Sequence, residues 1–233
     1  MASSSTVHDS RTLMVEDLQR LLDAVPEGGR QAYHHAIVED NLLLKKTTRT
    51  RKVSWKYLQR LYGFDDPAYT RLNRLYHAHP GALPLLALLI GLTRDHIMHA
   101  TAEFILPQPY GSVVDLPSLK AWMSQYWGDT RTETSRHAIA QRVLSSWAQS
   151  GHLKGIKTKR RIRVAPSPEA VAFALYLGHQ EGARGLLLYQ TVYARALDAS
   201  EGELDELAYQ ASTLGQLKYR RIADVLEITF PEP

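Results

Sequence analysis

The sequence predicts a mainly α-helical protein, an N-terminal helical bundle followed by a second helical part that carries short β-hairpins. Three observations predict it. Apolar residues recur at three- and four-residue spacing through most of the 233 residues. Around 152–164 and 216–230 the pattern changes to β-branched and charged residues in alternation, as in paired strands. Between the halves, Pro107, Pro109 and Gly111 form the clearest break in the chain. One domain is therefore expected over 1–110 and a second over 111–233.

The elements follow in order. Met14, Leu18, Leu21 and Leu22 have helical spacing, and Pro26 with Gly28-Gly29 closes that helix. A second helix is expected from Arg30 to Lys45. A third covers Thr50 to Tyr62, with Val53, Tyr57, Leu58 and Leu61 as its apolar stripe and Gly63 as its stop. Asp66 caps and Pro67 opens a fourth, to Tyr76. After Pro80-Gly81, the run Leu83–Leu106 reads as one long, mostly buried helix.

Beyond the break, Asp115-Leu116-Pro117 starts a helix containing Trp122 and Trp127, and another spans Thr132 to Ser150, closed by Gly151. Residues 152–164 then fit a two-stranded hairpin. Ser167-Pro168-Glu169 caps the next helix, and Ser200 with Glu203 forms a capping box for a last one, ended by Gly215. Leu217–Ile222 and Val225–Phe230 read as a closing hairpin. Ala148–Lys154 and Ser212–Lys218 resemble each other, each following a helix and preceding a basic hairpin. That order, helix–glycine–strand–turn–strand, is the last half of a winged helix. The second part is thus expected to be winged-helix-like, with a wing at 152–164 and a closing hairpin at 216–230.

Composition removes several classes. There is no cysteine, which excludes disulfide scaffolds, thiol nucleophiles and Cys-based zinc or iron–sulfur sites. Met1–Thr12 is rich in Ser and Thr without an apolar core, unlike a secretory signal. The longest apolar run, Ala82–Leu92, contains Pro84 and falls short of the roughly 20 residues that span a bilayer. A cytoplasmic protein with no membrane partner is expected.

Charge is unevenly placed. The net charge is only +4, yet residues 45–64 hold seven basic side chains and no acid, and residues 134–168 hold eight and none. The other stretches are net acidic. Such windows create strong local positive potential, and the partner they suggest is a polyanion.

The sharper window joins the helix 132–150 to its hairpin. Ile139, Ala140, Val143, Leu144 and Trp147 share one side of the helix. Ser135, Gln141, Arg142, Ser145, Ser146 and Gln149 occupy the other, and such side chains bond base edges and phosphates. The wing adds Lys154, Lys157, Lys159, Arg160, Arg161 and Arg163, which would lie against adjacent phosphates. Charge also protects edge hairpins from aggregation, but one or two lysines serve that purpose. The second window places Lys45, Arg49, Lys52, Lys56 and Arg60 along one helical face, a repulsive stripe that a polyanion would relieve. Pairing with acidic neighbours such as Glu39-Asp40 is the competing reading.

Enzyme readings are weaker. His96, His99 and Glu103 lie near one helical face at a spacing a metal would accept, but that face continues the apolar stripe Leu85, Leu88 and Leu92. Gly178, Gly182 and Gly185 follow no strand and precede no Gly-Lys-Ser/Thr. The reading is of a non-catalytic protein that binds double-stranded DNA, with no metal and no cofactor. The alternative is a protein–protein adaptor whose basic faces dock acidic partners.

At Glu39-Asp40-Asn41-Leu42-Leu43-Leu44, then Thr47-Thr48, Arg51 and Arg60-Leu61, and then Leu83–Leu106, the sequence resembles BrxA. That family is the small component of bacteriophage-exclusion (BREX) defence systems, and the resemblance covers residues 30 to 150. It implies a small, largely helical, cytoplasmic protein without a recognised active site. It further implies an accessory DNA-binding role in antiviral defence, with other components of a defence complex as partners. The wing matches no family motif, and its assignment rests on its residues.

Overall fold

The computed structural model of the protein describes residues 6–128, 131–223 and 225–231; of the Ser/Thr-rich start, Met1–Ser5 lie outside the described residues. The chain is mainly helical, with two short antiparallel strand pairs. Helix α1 spans Val15–Ala24, α2 Arg30–Val38, α3 Thr48–Tyr62 and α4 Pro67–Ala78. Helix α2 stops seven residues before Lys45, because Asn41 and Leu44 adopt left-handed backbone at φ 55° and 52°. Leu43 tucks into the core while Leu44 is left exposed. The Asn41 side chain accepts the Lys45 N–H at 2.8 Å, and Thr47 caps α3 by accepting from Thr50 N. Arg51 reaches back to the Val38 carbonyl at 3.1 Å. Glu39–Leu44 and Thr47 thus build the turn between α2 and α3.

The expected single helix Leu83–Leu106 is two helices, α5 Leu83–Arg94 and α6 His96–Ile105, bent by 116°. Asp95 makes the break. Its carboxylate accepts from Ile97 N and Met98 N, capping α6, and also from Val7 N and His8 N at 2.8 and 3.1 Å. Residues 6–14 thereby form a strap laid across the bundle. Gly91 lets the strap approach, since a Cβ there would lie 2.7 Å from Leu13. Leu86, Leu88 and Leu89 of α5 are fully buried, and each contributes roughly 2 kcal/mol. No single helix among the described residues is long and apolar enough to cross a membrane.

The remaining elements are α7 Leu116–Trp127, α8 Glu133–Gln149, β1 Leu153–Lys154, β2 Arg160–Arg161, α9 Pro168–Gln180, α10 Val192–Arg195, α11 Glu201–Thr213, β3 Lys218–Ile222 and β4 Val225–Thr229. Helix α10 and the 3₁₀ turn Gly185–Gln190 before it had no periodic signal in the sequence. Helix α9 is buried along nearly its whole length, packing on α11 and α10 on one side and on α4 and α5 on the other. The buried apolar residues consequently form one cluster that continues across Pro107–Gly111.

Candidate nucleic-acid interface

The hairpin after α8 is short and tightly tied. Leu153 pairs with Arg161 and Lys154 with Arg160. Residues 111–114 add a third segment on the other side of β2. Gly111 N donates to Arg161 O at 2.7 Å, Arg161 N to Ser112 O at 2.9 Å, and Val114 N to Lys159 O at 2.9 Å. The break read at Pro107–Gly111 therefore leads straight into a segment bonded to the hairpin, with Gly111 its first residue. At the turn, a Cβ on Gly155 would sit 2.0 Å from Thr158 O, so only glycine closes it.

Four of the six wing cations project outward. Lys154, Lys157 and Arg160 are exposed and Lys159 is half-buried. Lys159 Nζ bonds Gly155 O and Arg160 Nη1 bonds Gly111 O, at 3.3 and 2.8 Å. None of the four is ion-paired among the described residues. The expectation for Arg161 is corrected: it is fully buried. Its guanidinium clasps both oxygens of Asp198 and bonds the Ile105 carbonyl at the end of α6. Opposite Leu153, position 161 faces inward, and its charge serves the fold. Arg163 is exposed but held by the Glu203 carboxylate and the Asp198 carbonyl. Glu203, bonded by the Ser200 N–H and then by Arg163, is depressed to about 2.

Helix α8 is also only partly available. The strap covers the flank that carries Arg142, Ser146 and Gln149. Arg142 donates to Asp9 O at 2.9 Å, Gln149 donates to Thr12 Oγ1 at 3.1 Å, and Ser146 accepts from Leu13 N at 3.0 Å. Arg142 and Gln149 are therefore withdrawn as groups free to meet a ligand. Gln141 remains exposed and Ser145 half-buried, with its hydroxyl on Gln141 O. Thr134, His137 and Ala138 lie on the same face, one or two turns toward the helix start. A helical wheel centred on Gln141 identifies them; the strap that hides the other flank leaves no local signal.

Under the strap, His8, Ser146 and Asp95 form a histidine-centred series. His8 Nε2 lies 2.8 Å from Ser146 Oγ, and His8 Nδ1 lies 3.0 Å from Asp95 Oδ2. This order matches that of hydrolytic triads. Here all three are at most 1% exposed, and the segment carrying the histidine is itself the cover. Ser146 sits within a helix whose N–H groups are committed to the helical ladder, which leaves no donors for an oxyanion. Burial would raise the Asp95 pKa, but the hydrogen bonds and charge of His8 and the Met98 N–H outweigh it and hold the carboxyl at about 2. The arrangement is a lock for the strap.

The second basic window divides. Lys45 is in the turn before α3, bonded to Asp17 at 2.8 Å, so it does not extend the stripe. Arg49, Lys52 and Lys56 are exposed along α3. Arg60 is half-buried, and its carbonyl accepts from Arg94. His96, His99 and Glu103 are exposed, with His99 Nδ1 3.1 Å from Leu92 O. Among the described residues no three His, Asp or Glu side chains converge as a metal site would require. Comparison of the chain with family models and with curated proteins gave no match.

Proposed function

We propose that the chain binds double-stranded DNA without catalysing a reaction, and that α6 to β2 is a winged helix serving as its reader. The observation that carries the reading is the hairpin 153–161, where Lys154, Lys157, Lys159 and Arg160 stand together without a carboxylate partner among the described residues. An arrangement like this holds adjacent phosphates and releases their counterions. Two further features support it. The order helix, extended segment 111–114, helix, helix, strand, strand, with β2 between the other two, is that of winged helices. The exposed face of α8 offers short polar groups, including Gln141 and Thr134, of the kind that meet base edges.

The stripe Arg49, Lys52 and Lys56 is a candidate second phosphate contact. The BrxA resemblance extends the proposal to an accessory role in an antiviral, BREX-like complex in the cytoplasm. Co-purification with the other proteins of such a system checks that extension.

A gel-shift titration on duplex DNA at two salt concentrations tests the central reading. Replacing Lys154, Lys157, Lys159 and Arg160 with alanine should flatten the slope of log affinity against log salt by roughly 3 units. Affinity should fall roughly a thousandfold while the fold survives. Neutralising Arg49, Lys52 and Lys56 should give a smaller, separable loss. An unchanged slope in the wing variant would assign the cations to acidic protein partners, the adaptor reading.

A further inference from the structure

The apex of the basic hairpin is an isoleucine. Ile156 is 95% exposed, the most exposed of the large apolar side chains described. A lone apolar residue at a surface is ordinary by itself. This one differs in position and company. It follows Gly155, whose φ of +118° and close approach to Thr158 O fix a narrow turn. Turns of this kind favour Gly, Asn, Asp and Ser, and a β-branched residue there adds nothing to the fold. Around it stand Lys154, Lys157, Lys159 and Arg160, with no acid between residues 134 and 168.

We propose that Ile156 is a wedge that enters duplex DNA from the minor groove and partly unstacks one base step. The inference rests on the DNA-binding reading and adds how the duplex is deformed. The minor groove, roughly 6 Å wide, is too narrow for a helix and admits a single tight turn. Apolar wedges flanked by cations unstack base steps and kink the duplex, because the flanking charges hold the phosphates on either side of the opened step. The preferred step is a flexible pyrimidine–purine step such as TA, where unstacking costs least.

The closing hairpin supplies an internal control. Its end also carries exposed apolar residues, Ile222 at 80% and Val225 at 71%. The two cations nearest that end, however, have acidic company: Arg221 is paired with Asp205 at 2.7 Å and Arg220 lies 3.9 Å from Glu227, while the exposed Lys218 stands at the opposite end of its strand, across from Thr229. An apolar tip whose adjacent cations are already paired with acids lacks the free charges beside it that a wedge requires.

The test uses the full chain and a duplex of about 30 base pairs with a central TA step, 2-aminopurine in place of that adenine, and a dye at each end. On binding, the native protein should raise the 2-aminopurine fluorescence and bring the dyes closer. Ile156→Ala should abolish both signals and weaken binding about tenfold. The salt slope should stay unchanged, because every cation remains. Ile156→Met should restore the bend, and Ile222→Ala should alter none of these readings. Binding by the native protein without either signal, or Ile156→Ala retaining both, would overturn the wedge while leaving DNA binding intact. Absence of any gel shift at low salt would overturn both.

Discussion

The two hairpins share one frame and differ in charge. After α8, Gly151 turns the chain at φ 91°, and the His152 N–H reaches back to Trp147 O at 3.0 Å. After α11, Gly215 at φ 71° does the same, with the Gln216 N–H on Ala211 O at 3.0 Å. His152 and Gln216 are both buried, Leu153 and Leu217 both enter the core, and Lys154 and Lys218 both point outward. Around this common frame the exposed helix faces diverge. Helix α8 presents Thr134, His137 and Gln141, whereas α11 presents Glu203, Glu206, Tyr209 and Gln210. The frame is set by the helix-ending glycine and by what is buried behind it. The surface charge is set by side chains that the frame leaves free to vary, so the same local fold is cationic in one place and acidic in the other.

The largest expected effect that separates the two concerns what anchors each hairpin. In the first, Arg161 and Asp198 form a fully enclosed pair tied to the end of α6. Removing one partner strands the other charge in the interior. Arg161→Ala should therefore cost about 4 kcal/mol in urea unfolding. The exposed Arg220→Ala in the second hairpin should change stability by less than about 0.5 kcal/mol. Equal effects would mean that Arg161 is solvated and the inward register of β2 is wrong.

Acid should also distinguish them. Burial lowers the His152 pKa to about 4, against the opposing pull of Asp198 and the Ala196 carbonyl, so the folded protein holds this imidazole neutral. The unfolded chain titrates near 6.5. Between those values the unfolded state binds the extra proton, and stability falls as pH falls. This contribution is fully present above pH 6.5 and is lost by about pH 4, a change of about 3 kcal/mol. Gln216 occupies the matching place in the second hairpin and does not titrate. Hydrogen exchange followed from pH 7 to 4.5 should show amides at 152–164 losing protection before those at 216–230. His152→Gln should lower stability at neutral pH and flatten its dependence on pH over that range; a slope unchanged in the variant would place the acid sensitivity elsewhere.

Much of this organisation is legible in the sequence because it is local. Asp66-Pro67, Ser167-Pro168 and the Ser200–Glu203 box mark helix starts within a few residues of where they occur, and the echo of Gly151 in Gly215 is visible without a structure. The break at Asp95 is not legible, since the apolar pattern continues on both sides and the groups that fix it, Val7 and His8, lie nearly ninety residues away. Burial of Arg161 is similarly remote in cause, depending on Asp198. A period-2 reading from Leu153 across to position 161 would have turned that side chain inward. The polar flank of α8 reads as a free surface for the same reason: the strap that covers it is more than a hundred residues earlier in the chain.

The smallest expected effect asks whether the acidic helix belongs to the interface at all. If DNA lies against the first hairpin and α8, the Glu203 and Glu206 carboxylates of α11 face it only across solvent. Glu203 is paired with Arg163 and Asp205 with Arg221, which leaves Glu206, hydrogen-bonded to Gln210, as the carboxylate of that turn with no ion pair among the described residues. Charges separated by more than a Debye length of roughly 10 Å are screened at ordinary salt. Glu206→Gln should accordingly raise DNA affinity by less than about threefold at low salt, through relief of long-range repulsion, and by nothing measurable at 0.15 M ionic strength. A tenfold or greater rise that persists at that salt would place α11 against the phosphates. A fall in affinity would mean that the acidic face takes part in binding, and the contrast between the two hairpins would no longer divide the molecule by partner.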